Sequence, residues 1–332
     1  MSSFTQGRYI VQGLEVFAHR VTASVDSFFE SLYPGETPLE AEPLHFELHI
    51  VEQPTPVPAD SVRVIKSPSV TYHTNGKEIQ FVSVDGSIIC YDPIRQKAKG
   101  FLKKEILQDT FELYRLMSAW ISEALRYHGF HFLHSAALHG DEMGYLVSGE
   151  GGSGKTTAAV TMVREGFKCV SDDTLFFREY KGEIIVLPVF RNKNFHIDAD
   201  LTNRFPELSK GIESKILNGA KKPVDVSTIF PGFFIPHVKP NAIIFPKITS
   251  HQQSILSPIP QVEVFRRLLK QTIMAVDNDI SRSQLRIMQH LVRQARGFEL
   301  LSGRDIYENP KRLISLLAKV SAGHENSKKN QG

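Results

Sequence analysis

The sequence predicts an α/β fold with two parts, a β-rich N-terminal part and a C-terminal part in which strands and helices alternate. Three observations predict it. Short apolar runs broken by turn residues fill roughly the first 105 residues, as is typical of strands. A long helical pattern follows, and after it a glycine-rich turn joins a strand-like run to a helix-like run. This alternation is typical of α/β domains.

Length and composition are those of an ordinary globular protein. The chain has 332 residues, of which 41% are hydrophobic and 23% charged, so it can bury the core of one large or two medium domains. Its two cysteines, Cys90 and Cys169, are too few for a disulfide framework. We therefore expect a reducing compartment and a cytoplasmic protein.

Charge and hydropathy argue against two kinds of partner. The formal net charge is +3, and the Lys and Arg residues are scattered, so nothing indicates nucleic-acid binding. The first residues lack the charged start and apolar run of a secretory signal, and no stretch of about 18 apolar residues occurs. We expect neither nucleic acid nor a membrane as a partner.

The predicted N-terminal domain covers residues 1–105 and is a candidate for substrate binding. Asn75-Gly76, between two strand-like runs, predicts a β-hairpin. The proline-rich segment 52–62 is expected to be an exposed connection, because strand patterning resumes on both sides of it.

A helix of about six turns is predicted over residues 106–129, where apolar side chains recur at helical spacing and Gly129 can end the helix. It is expected to connect the N-terminal domain to a P-loop catalytic domain over residues 130–320. The polar residues 321–332 are expected to form a flexible tail.

The glycine-rich turn carries a phosphate-binding motif. Residues 149–156 match the P-loop pattern G-x-x-x-x-G-K-[ST]. Glycines let backbone N–H groups line an anion site, to which the following helix adds its positive N-terminal end. Lys155 would reach the β- and γ-phosphates of ATP, and Thr156 would hold Mg²⁺. The alternative is a glycine-rich linker, but the flanking strand and helix patterns favour nucleotide binding. The predicted nucleotide contacts are Gly149, Glu150, Gly151, Gly152, Ser153, Gly154, Lys155, Thr156 and Thr157.

Two adjacent carboxylates, Asp172 and Asp173, follow the next predicted strand, and Asp173 lies eighteen residues beyond Lys155. In phosphoryl transfer one carboxylate can hold Mg²⁺ while another accepts a proton from the attacking hydroxyl. The alternative is a helix cap or a turn. Their position beside the predicted phosphate site favours the catalytic interpretation.

These motifs together resemble those of the HPr kinase/phosphorylase family and its relatives, P-loop serine kinases outside the eukaryotic kinase fold. In that family a histidine precedes the first P-loop glycine by fifteen residues, as His134 precedes Gly149 here. An "ADD" or "SDD" run follows the helix, as Ser171-Asp172-Asp173 does here, within the similar stretch "REGFKCVSDD". The resemblance is specific over residues 132–177 and vague beyond them.

The resemblance implies a P-loop core of the HPr kinase catalytic-domain type, with ATP and Mg²⁺ as cofactors and a homo-oligomer as the assembly. It implies Asp173 as the proton acceptor with Asp172 assisting, Asp172 and Thr156 on the magnesium side, and His134 near the carboxylates. Without the resemblance, His134 would more simply be a strand histidine with a structural role.

The sequence also departs from the bifunctional enzymes. Their E-I-R-G-L-G signature is not found, and the nearest segment, 189–201, offers Arg191 as a candidate substrate or phosphate contact. An exposed structural arginine is the alternative for Arg191. Thr157 stands where those enzymes have glutamate, so a kinase without the reverse reaction is favoured. The N-terminal part does not match the regulatory domain of the bifunctional enzymes. The combination of a different β-rich front half with an HPr-kinase-like back half resembles kinases found beside peptide natural-product gene clusters, including lasso-peptide kinases.

The resulting hypothesis is an ATP-dependent kinase that phosphorylates a serine hydroxyl of a peptide or small protein, with a lasso-type precursor as the acceptor that the resemblance implies. One alternative is a nucleotide-gated P-loop protein that binds a partner and transfers nothing. A small-molecule kinase is the other, because it would share every motif.

Overall fold

The computed structural model describes residues 5–191, 194–211, 222–309 and 311–329. The chain divides into two compact units. The first unit comprises Met1–His131 and Met274–Gln284, and the second unit comprises Phe132–Ile273 and Leu285–Gly332.

The strands are β1 Thr5–Val11, β2 Leu14–Val21, β3 Leu44–Val51, β4 Val62–Lys66, β5 Val70–Thr74, β6 Ile79–Ser83, β7 Ile88–Asp92, β8 Lys97–Lys103, β9 His131–Gly140, β10 Met143–Ser148, β11 Lys168–Ser171, β12 Thr174–Tyr180, β13 Glu183–Pro188, β14 Asn194–Ile197, β15 Lys222–Asp225, β16 Ala242–Ile248, β17 Ile255–Pro258 and β18 Arg296–Ser302. The helices are α1 Ala23–Ser31, α2 Lys104–Gln108, α3 Thr110–Arg126, α4 Lys155–Arg164, α5 Ala199–Arg204, α6 Gln261–Leu269, α7 Asn278–Gln294, α8 Arg304–Glu308 and α9 Lys311–Lys329, with a 3-10 helix at Pro206–Gly211.

In the first unit, the described strands form a mixed sheet in the order β1-β2-β3-β8-β7-β6-β5-β4. The pairs β2–β3 and β3–β8 are parallel, and the other neighbours are antiparallel. The β5–β6 hairpin predicted at Asn75-Gly76 is confirmed, with Gly76 at a φ of 82° that glycine adopts without strain. One face of the sheet is buried by aromatic packing of Phe46 against Phe29 and Trp120.

The predicted helix over 106–129 is two helices in the structure. Asp109 separates α2 from α3, and its carboxylate accepts hydrogen bonds from the backbone N–H groups of Phe111 and Glu112. A side chain that caps a helix in this way favours a new start over continuation. Helix α3 packs on β5, β6 and β7 and lies within the first unit, where the sequence predicted a connector between domains.

In the second unit, the main sheet runs β13-β12-β9-β10-β16-β18-β17, and β11 also pairs with β9. Strands β10, β16 and β18 are parallel, while β9 is antiparallel to β10 and β11, and β17 is antiparallel to β18. Alternate residues of these strands enter two hydrophobic clusters, one with α4 and α9 and the other with α6 and the second half of α7. The predicted α/β class is confirmed as a mixed α/β fold with large mixed sheets.

Helix α9 extends to Lys329 and so includes residues 321–329 of the predicted tail, while residues 330–332 lie outside the described residues. The flexibility of that tail stays a prediction. No helix within the described ranges is long and apolar enough to cross a membrane.

Candidate functional site

The P-loop joins the end of β10 to the start of α4 in the second unit. Ser148 ends the strand and Lys155 begins the ten-residue helix. Gly152 and Gly154 have φ values of 77° and 103°, in the left-handed region that glycine tolerates best. Gly154 is the N-cap of α4, so the loop turns directly onto the positive end of a helix. A glycine-rich loop that ends at a helix N-terminus is an arrangement that can bind phosphate.

Lys155 is held inside the loop. Its ammonium donates to the carbonyl oxygen of Gly149 at 2.6 Å and to that of Glu150 at 3.3 Å, and the residue is only 7% exposed. Thr156 is 8% exposed, and Thr157 follows it in the first turn of α4. A lysine fixed in this position adds a full positive charge to a site already lined by backbone N–H groups.

Strand β9 brings the P-loop and the aspartate pair to the same edge of the sheet. It pairs with β10 on one side, where Ser135 lies opposite Ser148 and the two buried hydroxyls are hydrogen-bonded at 2.8 Å. It pairs with β11 on the other side, and β11 ends just before Asp172. Two strand spacings separate the flanking strands, on the order of 10 Å. The two predicted halves of the site therefore share one edge.

Asp173 lies at a break between β11 and β12, where both of its carboxylate oxygens have partners. Oδ1 is 3.2 Å from Nδ1 of His134, and Oδ2 accepts a hydrogen bond from the Thr174 hydroxyl at 3.0 Å. The side chains of His134 and Asp173 are 36% and 33% exposed. This pair is thus oriented by the protein and still open to a reactant. The sequence suggested the proximity of His134 through the family spacing, but it did not indicate Thr174.

Asp172 is oriented differently from its neighbour. It is 1% exposed, and its Oδ2 accepts a hydrogen bond from the backbone N–H of His196 at 2.8 Å. Nδ1 of His196 lies 3.6 Å from Oδ1. His196 belongs to β14, and no sequence signal singled it out. A buried carboxylate needs partners such as these to remain charged.

A short segment after α6, residues 270–273, also reaches this edge. The carbonyl oxygen of Gln271 accepts a hydrogen bond from the N–H of His134 at 2.8 Å, and the Thr272 hydroxyl donates to the carbonyl oxygen of Phe132. The ammonium of Lys270 lies 3.4 Å from Oε1 of Glu150 in the P-loop. We call residues 270–273 the strap. The sequence analysis missed it, because its partners lie more than a hundred residues away in the chain.

The donor set fits the predicted magnesium ion in kind. Thr156 and Asp172 offer a hydroxyl and carboxylate oxygens, the hard ligands that Mg²⁺ prefers alongside water and nucleotide phosphate. Within the described residues, no group of three or more His, Cys, Asp or Glu side chains is arranged to hold a metal ion by itself. Arg191 is exposed in the segment between β13 and β14, and its predicted contact with phosphate or substrate stays a prediction.

Comparison with known proteins gives only a distant relation. No protein-family model matches the chain, and no curated protein matches its sequence. Among solved structures, the Hpr(Ser) kinase/phosphatase from Coxiella burnetii is similar with a TM-score of 0.36 and 13% identity, over 60% of this chain and 96% of that one. A similarity this low does not by itself indicate an activity. The functional argument therefore rests on the residues of the site.

Proposed function

We propose that this chain is an ATP-dependent kinase that transfers the γ-phosphate of ATP to a serine hydroxyl of a peptide or small protein. The observation that carries the proposal is the Asp173 carboxylate. It is part-exposed, paired with His134 at 3.2 Å, and lies at the same sheet edge as a complete P-loop. A phosphate cradle alone binds a nucleotide, whereas a cradle with a positioned carboxylate can also accept a proton from an attacking hydroxyl.

The P-loop supplies the phosphate side of the reaction. Backbone N–H groups at the start of α4 and the ammonium of Lys155, which rests on the Gly149 carbonyl oxygen, would direct positive charge at the β- and γ-phosphates. Such preorganised donors stabilise negative charge in the transition state without further reorganisation. Magnesium, when bound through Thr156 and Asp172, would neutralise charge on the phosphate oxygens.

The transfer step balances with these groups. The acceptor hydroxyl oxygen forms a bond to the γ-phosphorus, the bond from that phosphorus to the bridging oxygen breaks, and ADP leaves. The hydroxyl proton goes to the carboxylate of Asp173. The hydrogen bond from Thr174 and the ring of His134 hold that carboxylate in one orientation. Orientation of this kind contributes to rate because the reacting groups must be aligned.

The nature of the acceptor rests on the sequence resemblance. A serine acceptor is proposed from the similarity of residues 132–177 to the HPr kinase family, and a peptide acceptor such as a lasso-type precursor from the combination of a different N-terminal part with that kinase-like part. The first unit is proposed to bind that acceptor. A transfer that runs in one direction is proposed because Thr157 stands where the bifunctional enzymes carry glutamate. A homo-oligomer is proposed from the same resemblance, and a cytoplasmic location is proposed because the chain has only two cysteines.

Mass spectrometry tests the proposal. The protein is incubated with ATP, Mg²⁺ and a set of serine-containing peptides, and we expect one phosphate on a serine of an accepted peptide. A matched set with alanine in place of serine serves as the control and should gain nothing. Phosphate on a metabolite with none on any peptide would indicate the small-molecule kinase. Nucleotide binding with no phosphorylated product of any kind would indicate the nucleotide-gated protein.

A further inference from the structure

We infer that Lys270 is a second cation of the phosphate site, one that contacts the phosphoryl group during its transfer. The inference rests on the proposed function and concerns a residue outside the P-loop and outside the aspartate pair. Three observations carry it, and all of them lie within the second unit.

The first observation is the contact of Lys270 with the P-loop. Its ammonium is 3.4 Å from the carboxylate of Glu150, with side-chain exposures of 54% and 74%. An ion pair this exposed contributes little to stability, because solvent screens it and both long side chains lose freedom. Structural need therefore does not account for a lysine at this position.

The second observation is the anchoring of the neighbouring backbone. Gln271 accepts the hydrogen bond from the N–H of His134, and Thr272 donates to the carbonyl oxygen of Phe132. The strap is thereby fixed along the start of β9. Two contacts therefore link the backbone next to Lys270 to the proposed proton acceptor: the hydrogen bond from the His134 N–H to Gln271 and the contact of the His134 ring with Asp173. The base of the Lys270 side chain is fixed, while its long stem remains free to turn.

The third observation is the balance of charge. Glu150 offers Lys270 a single negative charge in an exposed position, whereas the γ-phosphate of ATP brings more negative charge to the same loop. A lysine is a compact cation on a flexible stem, so it can exchange one anion for another. Charge develops on the phosphoryl oxygens and the leaving oxygen during transfer, and a cation that reaches them then is worth more than one bound only to the ground state.

The chemistry assigned to Lys270 is electrostatic. It remains an ammonium throughout, gives up no proton, and changes neither the bond that forms at phosphorus nor the bond that breaks. Lys155 contacts the phosphates from inside the loop, and Lys270 contacts the phosphoryl group from the Glu150 side. Glu150 holds Lys270 over the loop until the nucleotide enters.

Calorimetric titration of Lys270→Ala tests the inference. Mg²⁺-ADP alone lacks the transferred phosphoryl group, and Mg²⁺-ADP with aluminium fluoride mimics that group during transfer. We expect the variant to bind Mg²⁺-ADP within about twofold of wild type and to bind the aluminium fluoride complex about tenfold or more weakly. Lys270→Arg keeps the charge and should recover part of the loss.

Lys239→Ala is the matched control, because Lys239 forms an exposed ion pair with Glu183 elsewhere in the second unit. It should bind both ligands as wild type does. Equal binding of the aluminium fluoride complex by Lys270→Ala and wild type would overturn the inference. So would an equal loss for both ligands, or the same loss in Lys239→Ala. Failure of the wild-type protein to bind Mg²⁺-ADP would overturn the proposed function itself.

The coupling between Lys270 and Glu150 gives a second readout. Removal of the competing carboxylate by Glu150→Gln should strengthen binding of the aluminium fluoride complex. In the Lys270→Ala variant, Glu150→Gln should strengthen this binding less, because the lysine that would be released from Glu150 is absent. An equal gain in both backgrounds would contradict the exchange of anions at Lys270.

Discussion

The two units use charged side chains in different ways. In the first unit, the carboxylate of Glu123 is paired with Arg126, and their side chains are 0% and 2% exposed. In the second unit, His134 and Asp173 also lie in contact, but about a third of each side chain is exposed. The folded state depends on both members of a buried pair of opposite charges, because removal of either member leaves the other buried and unpaired. The part-exposed pair of His134 and Asp173 can be reached by a reactant.

The largest effect is expected from a substitution in the part-exposed pair of His134 and Asp173. Asp173→Asn keeps the shape of the side chain and removes the proton acceptor, so phosphate transfer should fall by roughly 10²- to 10⁴-fold. The free energy of unfolding should change by less than about 1 kcal/mol, because the side chain is exposed enough to be solvated. Transfer rate, Mg²⁺-ATP affinity and urea unfolding check the three parts. Transfer at the wild-type rate would remove Asp173 from its proposed role.

The next largest effect is expected when the buried pair of Glu123 and Arg126 is broken. Glu123 accepts hydrogen bonds from Arg126 and from the backbone N–H of Val276, both within the first unit. Glu123→Ala leaves the guanidinium buried without its carboxylate and should cost about 3–5 kcal/mol of unfolding free energy. Urea unfolding measures the loss. A loss under about 1 kcal/mol would mean that the first unit does not depend on the pair.

A third prediction concerns pH and also lies in the first unit. Burial, with a smaller contribution from the charge of Arg126, lowers the pKa of His131 from 6.5 to about 4. The unfolded chain therefore binds a proton that the folded chain refuses, and stability falls as pH drops from about 6.5 to about 4. This one group should cost at most about 3 kcal/mol across that range.

Urea unfolding at a series of pH values, with His131→Gln beside wild type, isolates that contribution. The variant should lose part of the acid dependence. His139→Gln, at an exposed position on the same strand, should keep the wild-type slope. Identical slopes for wild type and His131→Gln would show that His131 is not the group that refuses the proton.

The smallest effect is expected at an exposed pair. Glu183 and Lys239 are 51% and 42% exposed, so Glu183→Ala should change the free energy of unfolding by less than about 1 kcal/mol. The same urea measurement applies. A loss as large as that of Glu123→Ala would erase the distinction between buried and exposed charge.

The sequence predicted the parts of the molecule that depend on local patterns. The hairpin at Asn75-Gly76 is confirmed and requires only two residues that turn easily, whereas phosphate binding by the glycine-rich loop at residues 149–156 stays a prediction. The alternation of strand and helix predicted the α/β class for similar reasons. Such features depend on patterns of neighbouring residues and need no contact with distant parts of the chain.

The parts that the sequence missed depend on distant contacts. The cap at Asp109 that divides one predicted helix into two was visible only as a single aspartate in a periodic pattern. The backbone N–H of His196 on Asp172, and the strap on His134, join segments far apart in the chain. No local pattern encodes such contacts, because the register between distant strands decides them.

The most direct test of the central claim follows the γ-phosphate itself. ATP labelled with heavy oxygen on the γ-phosphate is incubated with the protein, Mg²⁺ and an accepted serine peptide. We expect the peptide to gain one phosphate that carries the label, and we expect Asp173→Asn to transfer it roughly 10²- to 10⁴-fold more slowly. Label found only in inorganic phosphate, with an unmodified acceptor, would contradict the account and indicate a protein that hydrolyses its nucleotide without transfer.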